Sequence, residues 1–159
     1  MLMYHVNFGW PVVSEDSEIW SPAEKLLPEA GGERENAFTI PLDPPIPNFG
    51  YECCVHKLPE KGTFAVGVIN RKLEYGAYIK LDAEKFPSFN TWRMAGEQDY
   101  VFAVEPGTNA PMGRVAAREK GELIVLEALE EKEYGFELGI IPDAESAEAF
   151  IAEIKKMKE

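Results

Sequence analysis

His5 and Glu105 are the titratable residues in the most unusual settings of this chain. His5 is one of two histidines and sits among aromatics in Tyr4-His5-Val6-Asn7-Phe8-Gly9-Trp10-Pro11. Glu105 ends the apolar run Tyr100-Val101-Phe102-Ala103-Val104 and precedes Pro106-Gly107. A carboxylate at the rim of a sheet suits a general base, and a nearby imidazole suits a general acid. Each residue also has a plain structural reading. A histidine among aromatics can be a hydrogen-bonded core residue, and a glutamate before a turn can simply close a strand.

Other chemistries lack their signatures. There is no G-x-G-x-x-G after a strand, no phosphate-binding P-loop, no H-E-x-x-H and no G-x-S-x-G. Two histidines and two cysteines do not make a zinc site of the usual nitrogen and sulfur ligands, and no loop has EF-hand spacing. Cys53 and Cys54 are neighbours, so in a strand they point to opposite faces. They read as small apolar strand residues and build no disulfide framework.

The elements that must position His5 and Glu105 are mostly strands. Residues 1–48 are rich in turn formers, with Pro11, Pro22, Pro28, Pro41, Pro44, Pro45, Pro47 and Gly31-Gly32. A short strand is expected at 3–8, followed by loops. From Gly50 the pattern changes. Residues 50–57 read as a strand. Phe64, Val66 and Val68 share one face of a second, over 63–69. Tyr75, Ala77, Ile79 and Leu81 alternate against Gly76, Tyr78 and Lys80 in a third. Asn70-Arg71-Lys72 joins the last two as a hairpin. Residues 88–94 and 99–105 form a further pair around Ala95-Gly96-Glu97-Gln98, in whose turn Glu97 and Asp99 are solvated. Leu123–Leu129 and Tyr134–Ile141 form a final pair, with Tyr134, Phe136, Leu138 and Ile140 on one face.

The C-terminus is helical. Asp143 is placed as an N-cap with Glu145 in the first turn. Ala147, Phe150, Ile151 and Ile154 have the i, i+3, i+4, i+7 spacing of a buried stripe, and Lys155, Lys156 and Lys158 suit the far end. This helix is expected to lie as a lid on a sheet. The whole is a mainly-β chain, an antiparallel sandwich or a partly closed barrel with a C-terminal helix.

At 159 residues one domain, 1–159, is the expectation. The formal net charge of -12 repels nucleic acid and anionic membrane surfaces. No apolar stretch approaches a membrane span, and the N-terminus lacks the build of a signal peptide, so a cytoplasmic location is expected. A neutral sugar is a partner compatible with this charge.

Three segments, in order, resemble the aldose 1-epimerases of the galactose mutarotase-like superfamily, and an uncharacterised branch of it most of all. They are Tyr4–Pro11, Pro45-Ile46-Pro47-Asn48-Phe49, and Thr91-Trp92-Arg93-Met94-Ala95-Gly96-Glu97 running into Tyr100–Asn109. The resemblance covers almost the whole chain but only about the C-terminal half of a mutarotase-like β-sandwich. It implies an isomerase of carbohydrate metabolism that interconverts sugar anomers without cofactor or metal. His5 would be the acid and Glu105 the base. Glu52 stands about where the family has a third acidic or amide residue. Trp92 would stack on a sugar or serve as a core aromatic, and Arg93, Asn7 and Asn109 would bond hydroxyls. His56 reads as structural or as an indirect sugar contact, and Trp10 and Trp20 as plain packing. A non-catalytic carbohydrate-binding sandwich is the rival reading. So is an incomplete half-domain, which a homodimer or a second chain would complete.

Overall fold

The computed structural model describes residues 1–22, 26–28 and 39–157 of the chain. The loop expected around Gly31-Gly32 and the terminal Lys158 lie outside these residues. In chain order the elements are β1 (Val6–Phe8), β2 (Ser17–Trp20), β3 (Leu26–Pro28), β4 (Thr39–Pro41), β5 (Tyr51–His56) and β6 (Thr63–Asn70). They continue with β7 (Tyr75–Asp82), β8 (Ser88–Ala95), β9 (Tyr100–Gly107), α1 (Arg114–Glu119), β10 (Phe136–Ile141) and α2 (Ala144–Lys156). The strands make two antiparallel sheets, ordered β1-β9-β8-β5-β3 and β10-β7-β6-β2-β4. The architecture is a β-sandwich with a C-terminal helix.

Alternation along the strands builds the core. Phe64, Val66 and Val68 of β6 and Ile79 and Leu81 of β7 meet Phe89 of β8, Phe102 and Val104 of β9 and Phe8 of β1 between the sheets. The β6–β7 hairpin closes over Asn70, whose Oδ1 accepts from the Lys72 and Leu73 amides at 3.2 and 3.0 Å. Its Nδ2 donates to the Pro11 carbonyl at 2.9 Å, tying the turn to the loop after β1.

The far face of the second sheet is covered by α2. Ala147, Phe150, Ile151 and Ile154 pack on Trp20, Ala65, Ile69 and Ile141. Asp143 caps the helix, its carboxylate accepting from the Ser146 amide at 2.7 Å, which holds the Asp143 pKa below the ordinary carboxylate value. Among the described residues no helix is long and apolar enough to cross a membrane.

Four expectations need correction. The stretch up to residue 48, expected as loops after its first strand, also contains β2, β3 and β4, which form by pairing with the distant β6 and β5 and with each other. Residues 123–129 form no strand, and Arg114–Glu119 is a short helix. The run Leu123–Leu129 has β character but pairs with no strand among the described residues. The free edge of β7 is taken by β10, in register from Phe136↔Leu81 to Ile141↔Gly76. Val125, Leu126 and Leu129 are left exposed. The N-terminal strand is shorter than 3–8: regular pairing covers Val6–Phe8, with Met3 joined to Gly107 by an isolated bridge. Trp10 does not pack; it is 82% exposed in the turn after β1.

At Gly67 of β6 the Phe150 ring of α2 comes close against the sheet backbone. A Cβ there would lie 2.9 Å from Phe150 Cζ and nearer still to Cε1. That ring is buried and stacks on Tyr78 at 5.3 Å, so it has little room to retreat. Gly67→Ala is therefore expected to destabilise the protein by about 1–3 kcal/mol through overpacking. Urea denaturation beside the wild type measures this, and an unchanged midpoint would mean that α2 is not seated on Gly67.

Candidate functional site

With α2 over one outer face, the outer face of the β1-β9-β8-β5-β3 sheet is the one left to carry a site. Register decides what points there. Val6 and Phe8 pair with Val104 and Phe102, and these side chains enter the core. Their neighbours His5, Asn7, Ala103 and Glu105 therefore point outward. Across the β8–β9 ladder Asn90 lies opposite Glu105, and Trp92 opposite Ala103. On β5, Val55 lies opposite Asn90, Cys53 opposite Trp92 and Tyr51 opposite Met94. One row reads His5, Glu105, Asn90, Val55; the next reads Asn7, Ala103, Trp92, Cys53.

His5 and Glu105 meet in the first row, with Nε2 to Oε1 at 2.8 Å. The Glu105 side chain is only 4% exposed while that of His5 is 43% exposed. The carboxylate is the floor of the site and the imidazole is its rim. A hydrogen bond to an ionised group is among the stronger kinds, and it orients both partners. Beside the pair, the Trp92 ring lies 5.9 Å from the His5 ring. Ala103, opposite Trp92 in the ladder, is fully buried. Tyr51 extends the aromatic surface, stacked on Trp92 at 6.3 Å with an interplanar angle of 28°. Asn7 is exposed on the same face.

The structure does not bring every expected residue here. Arg93 and Glu52 alternate with Trp92 and Cys53, so they face the interior side of the sheet. Arg93 Nη2 bonds Glu52 Oε2 at 2.8 Å and Nη1 bonds Asp43 Oδ2 at 2.9 Å, with the guanidinium over the Phe49 ring at 5.3 Å. Together they fasten the Pro44–Phe49 loop to the sheet, and Ile46 adds a hydrogen bond to the Ala95 carbonyl at 2.8 Å. Asn109 lies past the end of β9. Its Oδ1 accepts from Thr108 Oγ1 at 3.0 Å and its Nδ2 donates to the Glu122 carbonyl, so both ends of the amide are engaged in holding the loop.

Asn90 and Tyr51 are additions that the sequence reading passed over. Asn90 is fully buried next to Glu105, its Oδ1 has no hydrogen-bond partner, and its Nδ2 lies 3.9 Å from Met3 Sδ. The available signal was parity, since Asn90 must share a face with Trp92 in any strand. Among the described residues no group of three or more His, Cys, Asp or Glu side chains is arranged to hold a metal ion.

Fold and geometry together define a two-sheet antiparallel β-sandwich with a His5–Glu105 contact and two stacked aromatic rings on one open face. By its sequence the chain belongs to the family described as a domain of unknown function, DUF4432, whose model matches residues 1–140. Its fold is similar to that of a putative aldose 1-epimerase from Klebsiella pneumoniae. The TM-score is 0.81 at 19% identity, over 99% of this chain and 42% of that one. The chain thus spans less than half the length of that protein, and at this identity the likeness is one of fold. Comparison with curated protein sequences gives no match.

His56 stands apart from the His5–Glu105 contact, on the interior side opposite Phe89. Its Nε2 is 2.8 Å from Thr91 Oγ1 and its ring meets Phe89 edge-on at 5.3 Å. Burial pushes its pKa down from 6.5 to about 3. The unfolded chain therefore binds a proton that the folded chain refuses between these two values. Stability is expected to be unaffected by this group above pH 6.5 and to fall as pH drops toward about 3. The slope approaches about 1.4 kcal/mol per pH unit. Denaturant unfolding across that window should show this slope in the wild type and a flatter one in His56→Gln. Parallel curves for the two proteins would rule out a neutral buried imidazole.

Proposed function

We propose that this chain interconverts the anomers of a cyclic sugar by acid–base catalysis at the anomeric carbon. The observation that carries the reading is the His5–Glu105 contact of 2.8 Å on an open sheet face, beside Trp92. In this mechanism the sugar enters between the two side chains, its apolar face on Trp92. Glu105 takes the proton of the anomeric hydroxyl while protonated His5 gives one to the ring oxygen. The bond between the ring oxygen and the anomeric carbon breaks, leaving a carbonyl at that carbon. Rotation about the bond between the first and second carbons presents its other face. The ring then closes, with His5 taking back a proton and Glu105 returning one. Protons balance over the cycle. Each positioned group typically contributes about 10²–10⁴-fold. The likeness in fold to a protein described as an aldose 1-epimerase supports this reaction class.

A carbohydrate-binding sandwich without turnover is the second reading. It is favoured by Tyr51, 67% exposed and stacked on Trp92, because an aromatic platform needs no acid or base to hold a sugar. In either reading the remaining wall of the site belongs to further polypeptide, from a second copy of this chain or from a different one. The short span of this chain against its structural neighbour motivates that part of the proposal.

Saturation-transfer NMR of a panel of neutral aldoses, with Trp fluorescence recorded in parallel, separates the readings. The expected result is acceleration of anomer exchange by the wild type and a loss of about 10²-fold or more in Glu105→Gln, with fluorescence quenching retained. Quenching without acceleration would leave the binding module standing. Equal acceleration by both proteins would place the base elsewhere.

A further inference from the structure

Three rings lie in a diagonal line across the open face of the first sheet. His5 precedes β1 at one edge. Trp92 stands on β8, two strands inward, and Tyr51 on β5, one strand further. Cys53 lies opposite Trp92, so Tyr51, two residues before Cys53, shares that face and sits one row along. The His5 and Trp92 ring centres are 5.9 Å apart, and those of Trp92 and Tyr51 6.3 Å. Trp92 is thus the middle of the line, with Tyr51 on the side away from His5.

The Tyr51 ring is offered to solvent, the residue being 67% exposed. Rings pressed squarely face to face have centres about 3.5–4.0 Å apart. At 6.3 Å, with planes 28° apart, Trp92 and Tyr51 are displaced sideways, and neither hides the whole of the other's face. An aromatic face carries negative charge density, which attracts the C–H bonds on the apolar face of a pyranose. One pyranose on Trp92, with its anomeric carbon at Glu105, leaves Tyr51 uncovered about one further ring away. Anomer exchange requires a free hydroxyl at the anomeric carbon, so any second ring is joined through another carbon of the first. Among the described residues on this face of β1, β9, β8 and β5 none is lysine or arginine. The position at Tyr51 therefore suits an uncharged ring.

We propose that Tyr51 forms a second sugar-binding position and that the preferred ligand is an uncharged reducing disaccharide. Its reducing ring lies on Trp92, with the anomeric carbon at Glu105, and its second ring lies on Tyr51. The proposal rests on the sugar reading of the His5–Glu105 face. It makes Tyr51 a residue that sets ligand size and leaves the chemistry to His5 and Glu105.

Saturation-transfer difference NMR of the full chain with glucose, cellobiose, maltose and lactose reads binding whether or not anomers exchange. At least one disaccharide is expected to bind about tenfold more tightly than glucose, with saturation reaching the protons of both rings. Tyr51→Ala is expected to bring that ratio close to one, and Tyr51→Phe to keep it. A preference that survives Tyr51→Ala would overturn the assignment. So would a loss in Tyr51→Ala that is equal for glucose and the disaccharide, since Tyr51 would then act only by holding Trp92. Anomer exchange recorded on the same samples separates this proposal from the reading beneath it. If glucose is exchanged in a Glu105-dependent way and no disaccharide binds more tightly, the second position falls alone. If no sugar binds, both fall together. A Tyr51-dependent preference without exchange would retain the second position and remove the catalytic reading.

Discussion

The pairing of β1 with β9 is the constraint on which the candidate site depends. It is short, three residues on each side, yet it decides where His5 points. A slip of one residue would turn Val6 and Phe8 out to water and His5 into the core. Burial of Phe8 against Phe102 and Val104 opposes that slip. The chain before β1 reinforces the register. The Leu2 amide donates to Thr108 Oγ1 at 3.0 Å, the Thr108 amide to the Leu2 carbonyl at 2.9 Å, and the Tyr4 amide to the Pro106 carbonyl at 3.0 Å. Hydrophobic burial sets the face, and these hydrogen bonds set the position along the strand.

The two outer faces of the sandwich have opposite uses. One is closed by α2 with aromatic and aliphatic contacts, made intimate by Gly67. The other keeps polar and aromatic side chains in the order that alternation dictates. The interior side of that same sheet also holds polar groups, but these are tied up in structure. Arg93 with Glu52 and Asp43 fastens a loop, and His56 with Thr91 sits neutral in the packing. Alternate residues of β8 thus serve different ends: Asn90 and Trp92 face the site, while Thr91 and Arg93 hold the sandwich together.

Charge follows the same division. The chain is strongly acidic, and several of its cations are committed to carboxylates: Arg71 to Glu18 and Glu148, Lys72 to Asp16, Lys80 to Glu153. His5 with Glu105 is the pairing that stands on the open face, with one partner buried and the other at the rim. That asymmetry leaves the imidazole side accessible while the carboxylate is held in buried surroundings.

Much of the fold was legible in local pattern. The apolar run Thr63–Asn70, buried on both faces, and the alternation in Tyr75–Asp82 marked strands, and the apolar stripe from Ala147 to Ile154 marked the helix. Both are short-range properties, fixed by backbone geometry within a few residues. The types of His5, Glu105 and Trp92 and their neighbours likewise suggested what chemistry to look for. Partners were decided only in three dimensions. Leu123–Leu129 has strand character, yet its expected partner β10 pairs with β7 instead. Arg93 and Trp92 are adjacent in sequence and on opposite faces, and Asn90 joined the row of Glu105 through long-range register. A residue's type and local conformation are written in the chain around it. Which face it shares, and with whom, depends on strand pairing between segments distant in sequence, and on which hydrophobic surfaces the whole molecule can bury at once.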